Sequence, residues 1–153
     1  MATRSSHPLL SCTDGLAADW ADFVQLVGRI LLGQLFILIG WTKLTGYAFY
    51  VTYFTALKVP YPDIWPWPIG ILELVIGVAL IVGFATRYAA LASLVFVVIA
   101  TALAHRYWEY PAAQQFGQYN NFVKNLAIMG GSLYIFLMGG GRFAIDASLA
   151  KSR

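Results

Sequence analysis

Arg29, Gln34, Lys43, Glu73, His105, Lys124 and Asn125 sit inside or at the ends of apolar stretches long enough to cross a bilayer. A charge held in hydrocarbon costs roughly 2.5–3.5 kcal/mol on insertion scales, so such residues are expected to be paired or functional. Arg29 and Glu73 are the two deepest charges and form the candidate intramembrane polar pair. Their chemistry is either that of an ion pair that fixes helix packing, or that of a proton relay or a ligand carboxylate. Lys43, His105, Lys124 and Asn125 fall at the opposite ends of their segments from the chain termini, beside Trp41. That set could supply the hydrogen-bond donors that hold a quinone head group at the end of an apolar slot. Snorkelling of the two lysines and an ordinary interfacial histidine are the simpler alternatives.

The elements that must position these groups are four apolar runs, approximately Phe23–Lys43, Trp65–Phe84, Tyr88–His105 and Phe122–Met138. Each is about the 20 residues that a helix needs to cross a hydrocarbon core of about 30 Å. The runs are apolar all round, whereas barrel strands alternate in polarity, so helices are expected. Arg29, Gly33, Phe36, Gly40 and Lys43 recur every three or four residues and share one helix face, as do Gly70, Glu73, Gly77, Leu80 and Phe84. In the third run Leu94, Val98, Thr101 and His105 align in the same way. Small residues on such stripes permit close helix approach. Gln34, Thr101 and Ser132 read as interhelical hydrogen-bonding groups. Counting about 1.5 Å per residue from the ends of the runs brings Arg29 and Glu73 within several ångströms in depth, a gap a long arginine side chain spans.

The chain has 153 residues, of which 59% are hydrophobic and only 11% charged; soluble domains carry about a quarter charged residues. The fold class is therefore all-α: an integral membrane four-helix bundle with both termini on the same side. Residues 1–22 read as a polar tail, 23–141 as the membrane domain and 142–153 as a short C-terminal tail. The net charge of +3 comes from scattered basic residues, which argues for topology and headgroup contact rather than nucleic-acid binding. Cys12 is the sole cysteine, which excludes a Cys-x-x-Cys redox motif. His7 lies far from His105 in sequence, and no metal site is expected. A cleavable signal peptide is not expected, because the first apolar run lacks a basic leader and a small-residue cleavage site.

The first connection, Thr45 to Asp63, is rich in tyrosine and phenylalanine and passes into the proline- and tryptophan-rich run Val59–Pro68. Proline at that density favours an extended or turning path. Gly83–Arg87 makes a tight hairpin, and Arg106 to Asn121 is a second long aromatic connection. Gly139-Gly140-Gly141 is a helix stop. Arg4, Arg87, Arg142, Lys151 and Arg153 collect on the side of the termini, against Lys43, Lys58, Arg106 and Lys124 opposite. This bias places both termini in the cytoplasm. The aromatic clusters on the far side are either interfacial belts or the lining of a cleft closed by the proline-rich segment.

The run Gly28–Gly33 followed by Ile39-Gly40-Trp41-Thr42-Lys43-Leu44 resembles the opening of DoxX-family membrane proteins. Gly70-Ile71-Leu72-Glu73-Leu74, Gly77, Gly83–Arg87 and the ending Gly139–Asp146 are similar to the family in order and spacing. The resemblance covers about residues 24–147 and implies a small bacterial four-helix protein of the cytoplasmic (inner) membrane. It also implies kinship with subunits of thiosulfate:quinone oxidoreductase and of oxidative-stress complexes. Arg29, Lys43 and Glu73 match the motif positions. Ile39 stands where the family commonly has histidine, so a proton-active side chain is missing there.

Three functions follow as expectations. The first is a membrane subunit of a redox or respiratory-type complex, binding quinone or anchoring a partner. No flavin, haem, iron–sulfur or nicotinamide motif is present, so any oxidoreductase activity requires a cofactor-bearing partner. The expected partners are membrane lipid and other membrane or membrane-associated subunits, with no intrinsic cofactor and quinone as the ligand class. The second is a small proton-linked transporter using Arg29, Glu73 and His105. The third is a structural or assembly protein docked on a larger membrane complex.

Overall fold

The computed structural model describes residues 8–151, so Arg4, His7 and Arg153 lie outside the described residues and Cys12 is described by its backbone alone. Every element among the described residues is helical: α1 Pro8–Thr45, α2 Tyr47–Ala56, α3 Pro66–Val82, α4 Thr86–Ala104, a 3-10 turn Tyr107–Glu109, α5 Ala112–Met138 and α6 Ile145–Lys151. Helices over 18–45, 86–109 and 112–138 are long and apolar enough to cross a membrane. Helix α3 is equally apolar but has 17 residues, about 25 Å of rise.

Four features differ from the sequence reading. Helix α1 begins at Pro8, so much of the expected polar tail is helical and continuous with the first apolar run. The first connection contains α2, a helix whose apolar residues surround its axis. Pro66 and Pro68 open α3 rather than preventing helix, because a proline in the first turn forfeits an N–H that has no intrahelical partner anyway. Helix α5 begins ten residues before Phe122, at Ala112, so half of the second aromatic connection is helix.

Helices α1 and α3 pack antiparallel and in close contact through facing glycines. A Cβ placed on Gly33 would lie 2.6 Å from the Gly77 carbonyl oxygen, and one on Gly77 would lie 2.6 Å from that of Gly33. Gly40 meets Gly70 in the same way one level further along, at 2.7 Å. Side chains at these positions would force the backbones apart. The face expected for α1 (Arg29, Gly33, Phe36, Gly40, Lys43) is buried throughout. On α3 the buried face runs through Gly70, Glu73, Gly77 and Leu80, while Phe84 is exposed beyond the helix end. On α4 the buried face is Ala90, Ser93, Val97, Thr101 and Ala104. Thr101 is buried as expected, whereas Ser93, Val97 and Ala104 are buried in place of Leu94, Val98 and His105, and Val98 is exposed.

Helix α4 pairs with α5 through Ser93 Oγ, which donates to Ser132 Oγ at 2.8 Å, and Asn125 Nδ2, which donates to Thr101 Oγ1 at 2.8 Å. Gln34, expected to join such bonds, faces outward. The core between the two helix pairs is Phe36, Ile76, Leu80, Ala89, Ala90, Val97 and Ile135.

Candidate functional site

The ionisable groups separate into two clusters at opposite ends of the helices. At the end where the α3–α4 hairpin meets residues 139–146, the fully buried Arg29 donates from Nη1 to the carbonyls of Leu80 (3.2 Å) and Ile81 (3.1 Å), and from Nη2 to Phe143 (3.1 Å). Leu80 and Ile81 belong to the last turn of α3, where carbonyls lack intrahelical partners and the helix dipole is negative. Arg29 is thus a C-terminal cap for α3, delivered from another helix. Gly83 closes that end at φ 72°, a conformation that suits glycine.

Asp146 performs the converse task for α4. Its carboxylate accepts from the backbone N–H groups of Ala85 (2.7 Å) and Thr86 (2.8 Å) and from Thr86 Oγ1 (2.7 Å). Ala85 lies at φ 47°, left-handed for a residue with a Cβ, and the Asp146 bonds hold it there. Burial alone would push the Asp146 carboxyl up. The hydrogen bonds from Thr86 and Ala85, with the charge of Arg29, outweigh it and hold the group below its usual range. Arg87 donates to the carbonyls of Phe136 and Leu137 at the end of α5, and Asp22 accepts from the Arg142 N–H. This end is a set of crossed helix caps.

The second cluster lies at the far end. Lys43 Nζ and Glu73 Oε2 form a buried ion pair at 2.7 Å. The pair expected between Arg29 and Glu73 does not form. A Cβ on Gly40 would lie 3.0 Å from the Glu73 Cβ, which sets Glu73 beside Gly40, eleven residues or roughly 16 Å along α1 from Arg29. Side chains lean toward the N-terminus of their own helix, so on antiparallel helices Arg29 and Glu73 lean apart while Lys43 and Glu73 lean together.

The Lys43–Glu73 pair borders a cavity of about 610 Å³ walled by α1, α3, α4 and α5 and roofed by α2. Phe36, Tyr50, Tyr53, Phe54, Trp65 and Phe96 contribute rings to it. Lys43 Nζ also sits 5.1 Å from the centroid of the Tyr50 ring, a cation–π contact. The roof is tied down by Thr42 Oγ1 and the Tyr50 hydroxyl at 2.7 Å, by the Tyr47 hydroxyl donating to the Asp63 carbonyl, and by Trp65 Nε1 donating to the Pro60 carbonyl. Burial, with the neighbouring Tyr110 and Tyr50, pushes the Tyr53 phenol up to about 12. Leu72, Ile99 and Leu103 line the cavity yet are about half exposed, so it opens sideways between α3 and α4 at this end.

Of the residues expected at this end, Lys43, His105 and Asn125 line the cavity. His105 Nδ1 is 2.8 Å from Gln118 Oε1, and Asn125 Nδ2 donates to Thr101 Oγ1. Trp41 and Lys124 are exposed and face away; Lys124 is next in sequence to Asn125 and Trp41 is two residues from Lys43, so the helical turn of about 100° per residue carries each to another face. Glu73, placed in sequence with Arg29, belongs here instead. Arg29, Glu73 and His105 form no continuous polar path, since Arg29 lies at the opposite end. The contribution of α2 was missed because its apolar, aromatic run has no polar face; its one legible signal was the density of tyrosine and phenylalanine. Asp146 was visible only as part of a terminal motif. No cluster of His, Cys, Asp and Glu suited to a metal ion is found among the described residues.

The DoxX family model matches residues 24–106, which carry the Arg29, Lys43, Glu73 and His105 positions. Inner membrane protein YqjF of Escherichia coli (strain K12) is 39% identical over 133 residues, covering 85% of this chain and 95% of the relative. Inner membrane protein YphA of the same organism is 26% identical over 121 residues, covering 79% of this chain and 86% of the relative. No solved structure matches the chain. With more than half of its length matched, the chain belongs to the DoxX family of membrane proteins.

Proposed function

We propose that this protein is a multi-pass inner-membrane subunit of a redox-type assembly whose far-end cavity binds a lipid-soluble ring ligand of the quinone class. In this reading α1, α3, α4 and α5 cross the bilayer, both termini are cytoplasmic, and α2 lies over the cavity on the outer side. The inner-membrane relatives and the basic residues Arg87, Arg142 and Lys151 at the capped end support that orientation. Trp65 and Phe84 flank α3 and extend its apolar reach beyond 17 residues.

The observation that carries the reading is a buried charge pair on the wall of an aromatic cavity. A volume of about 610 Å³ falls within the roughly 300–1,000 Å³ of small-molecule sites, which pair an apolar lining with a few convergent polar groups. The sideways opening suits a ligand that arrives through lipid. Electron transfer would need a redox centre on a partner subunit, since the chain carries no cofactor motif of its own.

Native mass spectrometry on protein gently extracted from its own membrane tests this directly. A retained quinone, or a stable adduct with a cofactor-bearing protein, is the expected result. Protein carrying phospholipid alone would refute the proposal and favour a purely structural role.

A further inference from the structure

We infer that the cavity takes its ring ligand in the hydroxyl-bearing form, a hydroquinone or phenol, with one hydroxyl held between Lys43 and Glu73. The inference rests on the reading of the cavity as a ring-ligand site and specifies the chemistry of the head group.

Glu73 uses Oε2 for Lys43, and no described residue bonds its Oε1. Lys43 has three N–H donors; one goes to Glu73 and the ammonium packs against the Tyr50 ring. A ligand at this wall therefore meets both a free acceptor and a free donor, fixed side by side. Elsewhere in the lining, Asn125 Nδ2 donates to Thr101, His105 Nδ1 is bonded to Gln118 and the Tyr50 hydroxyl to Thr42.

Different head groups meet that wall differently. A quinone carbonyl only accepts, so it satisfies Lys43 but brings its oxygen lone pairs toward the Glu73 carboxylate. A fatty-acid carboxylate meets like charge at Glu73, and an amine meets it at Lys43. A ring hydroxyl does both tasks at once, accepting from Lys43 Nζ and donating to Glu73 Oε1. Charge-assisted hydrogen bonds are the strong ones, and in a cavity of low dielectric an unmatched group is costly. One such matched bond corresponds to a preference on the order of tenfold. The surrounding rings suit the aromatic body of the ligand by offset or edge contact.

The test uses the full chain in phosphatidylcholine nanodiscs, kept anaerobic, with three probes of equal chain length: decyl-ubiquinol, decyl-ubiquinone and the dimethyl ether of the quinol. Bound probe is quantified by extraction after gel filtration, with binding to empty nanodiscs subtracted. About tenfold tighter binding of the quinol than of either other probe is expected. The preference should flatten in the double variant Lys43→Met/Glu73→Leu, which removes both charges together. Equal or tighter binding of the quinone, or an ether that matches the quinol, would overturn the hydroxyl assignment and leave the cavity reading standing. No protein-dependent binding of any probe would overturn both.

Discussion

Removing one partner of the Lys43–Glu73 pair should be far more damaging than the pair's net stabilisation suggests. At 2.7 Å and an effective dielectric of about 20, the attraction is about 6 kcal/mol, and desolvation of two nearly buried charges offsets much of it. Deleting one member leaves the other uncompensated, typically a loss of 3–5 kcal/mol. Lys43 keeps its contact with Tyr50, and both head groups border the cavity, so the lower edge applies. Glu73→Leu and Lys43→Met should each cost about 3 kcal/mol. The double variant should cost less than either single change, because the second change removes the charge that the first left uncompensated, giving a coupling of at least about 3 kcal/mol. Thermal unfolding in detergent, followed by gel filtration of the folded fraction, ranks the four proteins. Additive losses, with the double variant falling by the sum of the singles, would refute the buried-pair reasoning.

Arg29→Lys should destabilise by about 2 kcal/mol despite keeping the charge, since an ammonium cannot fork to the Leu80, Ile81 and Phe143 carbonyls; unchanged unfolding would disprove the capping role. Gly77→Val should cost at least 1–3 kcal/mol, because its Cβ falls on the Gly33 carbonyl, and cross-linking between cysteines placed on α1 and α3 would report the separation. Asp146 is depressed in the folded state, so its contribution is complete above the unfolded carboxylate range and is lost as pH falls through the lower folded value. Wild-type melting temperature should therefore drop on acidification through that window, and Asp146→Asn should melt lower at neutral pH with a smaller acid-induced drop. Ala100→Trp should fill the cavity and abolish protein-dependent quinol binding in nanodiscs while the protein still folds; undiminished binding would place the ligand elsewhere.

Much of the helical framework is legible in the chain because bilayer thickness and helical periodicity act locally. The α1 stripe from Arg29 to Lys43 follows from spacing alone, and every member is buried. On α4 only Thr101 of the expected stripe is buried and the other positions are displaced by one residue, since a helix apolar all round gives periodicity little to grip. Helix α2 and the first turns of α5 are short of charge and rich in rings, so composition reads them equally well as loop. Prolines at 66 and 68 mark a helix start only if the preceding chain turns there, which is a tertiary condition.

The sequence alone determines that charges stand within apolar helices of a DoxX-family membrane protein, and that glycines at 33, 40, 70 and 77 permit close packing. Which charge meets which was decided by the tertiary structure. The contact of Gly33 with Gly77 sets the register, and the lean of side chains toward their own N-termini then turns Glu73 to Lys43 and Arg29 to the end of α3. A chain is read one residue at a time, whereas register and cavity are properties of two or more helices at once. The caps supplied by Arg29 and Asp146 come from 51 and 60 residues away, a distance over which no local pattern carries information.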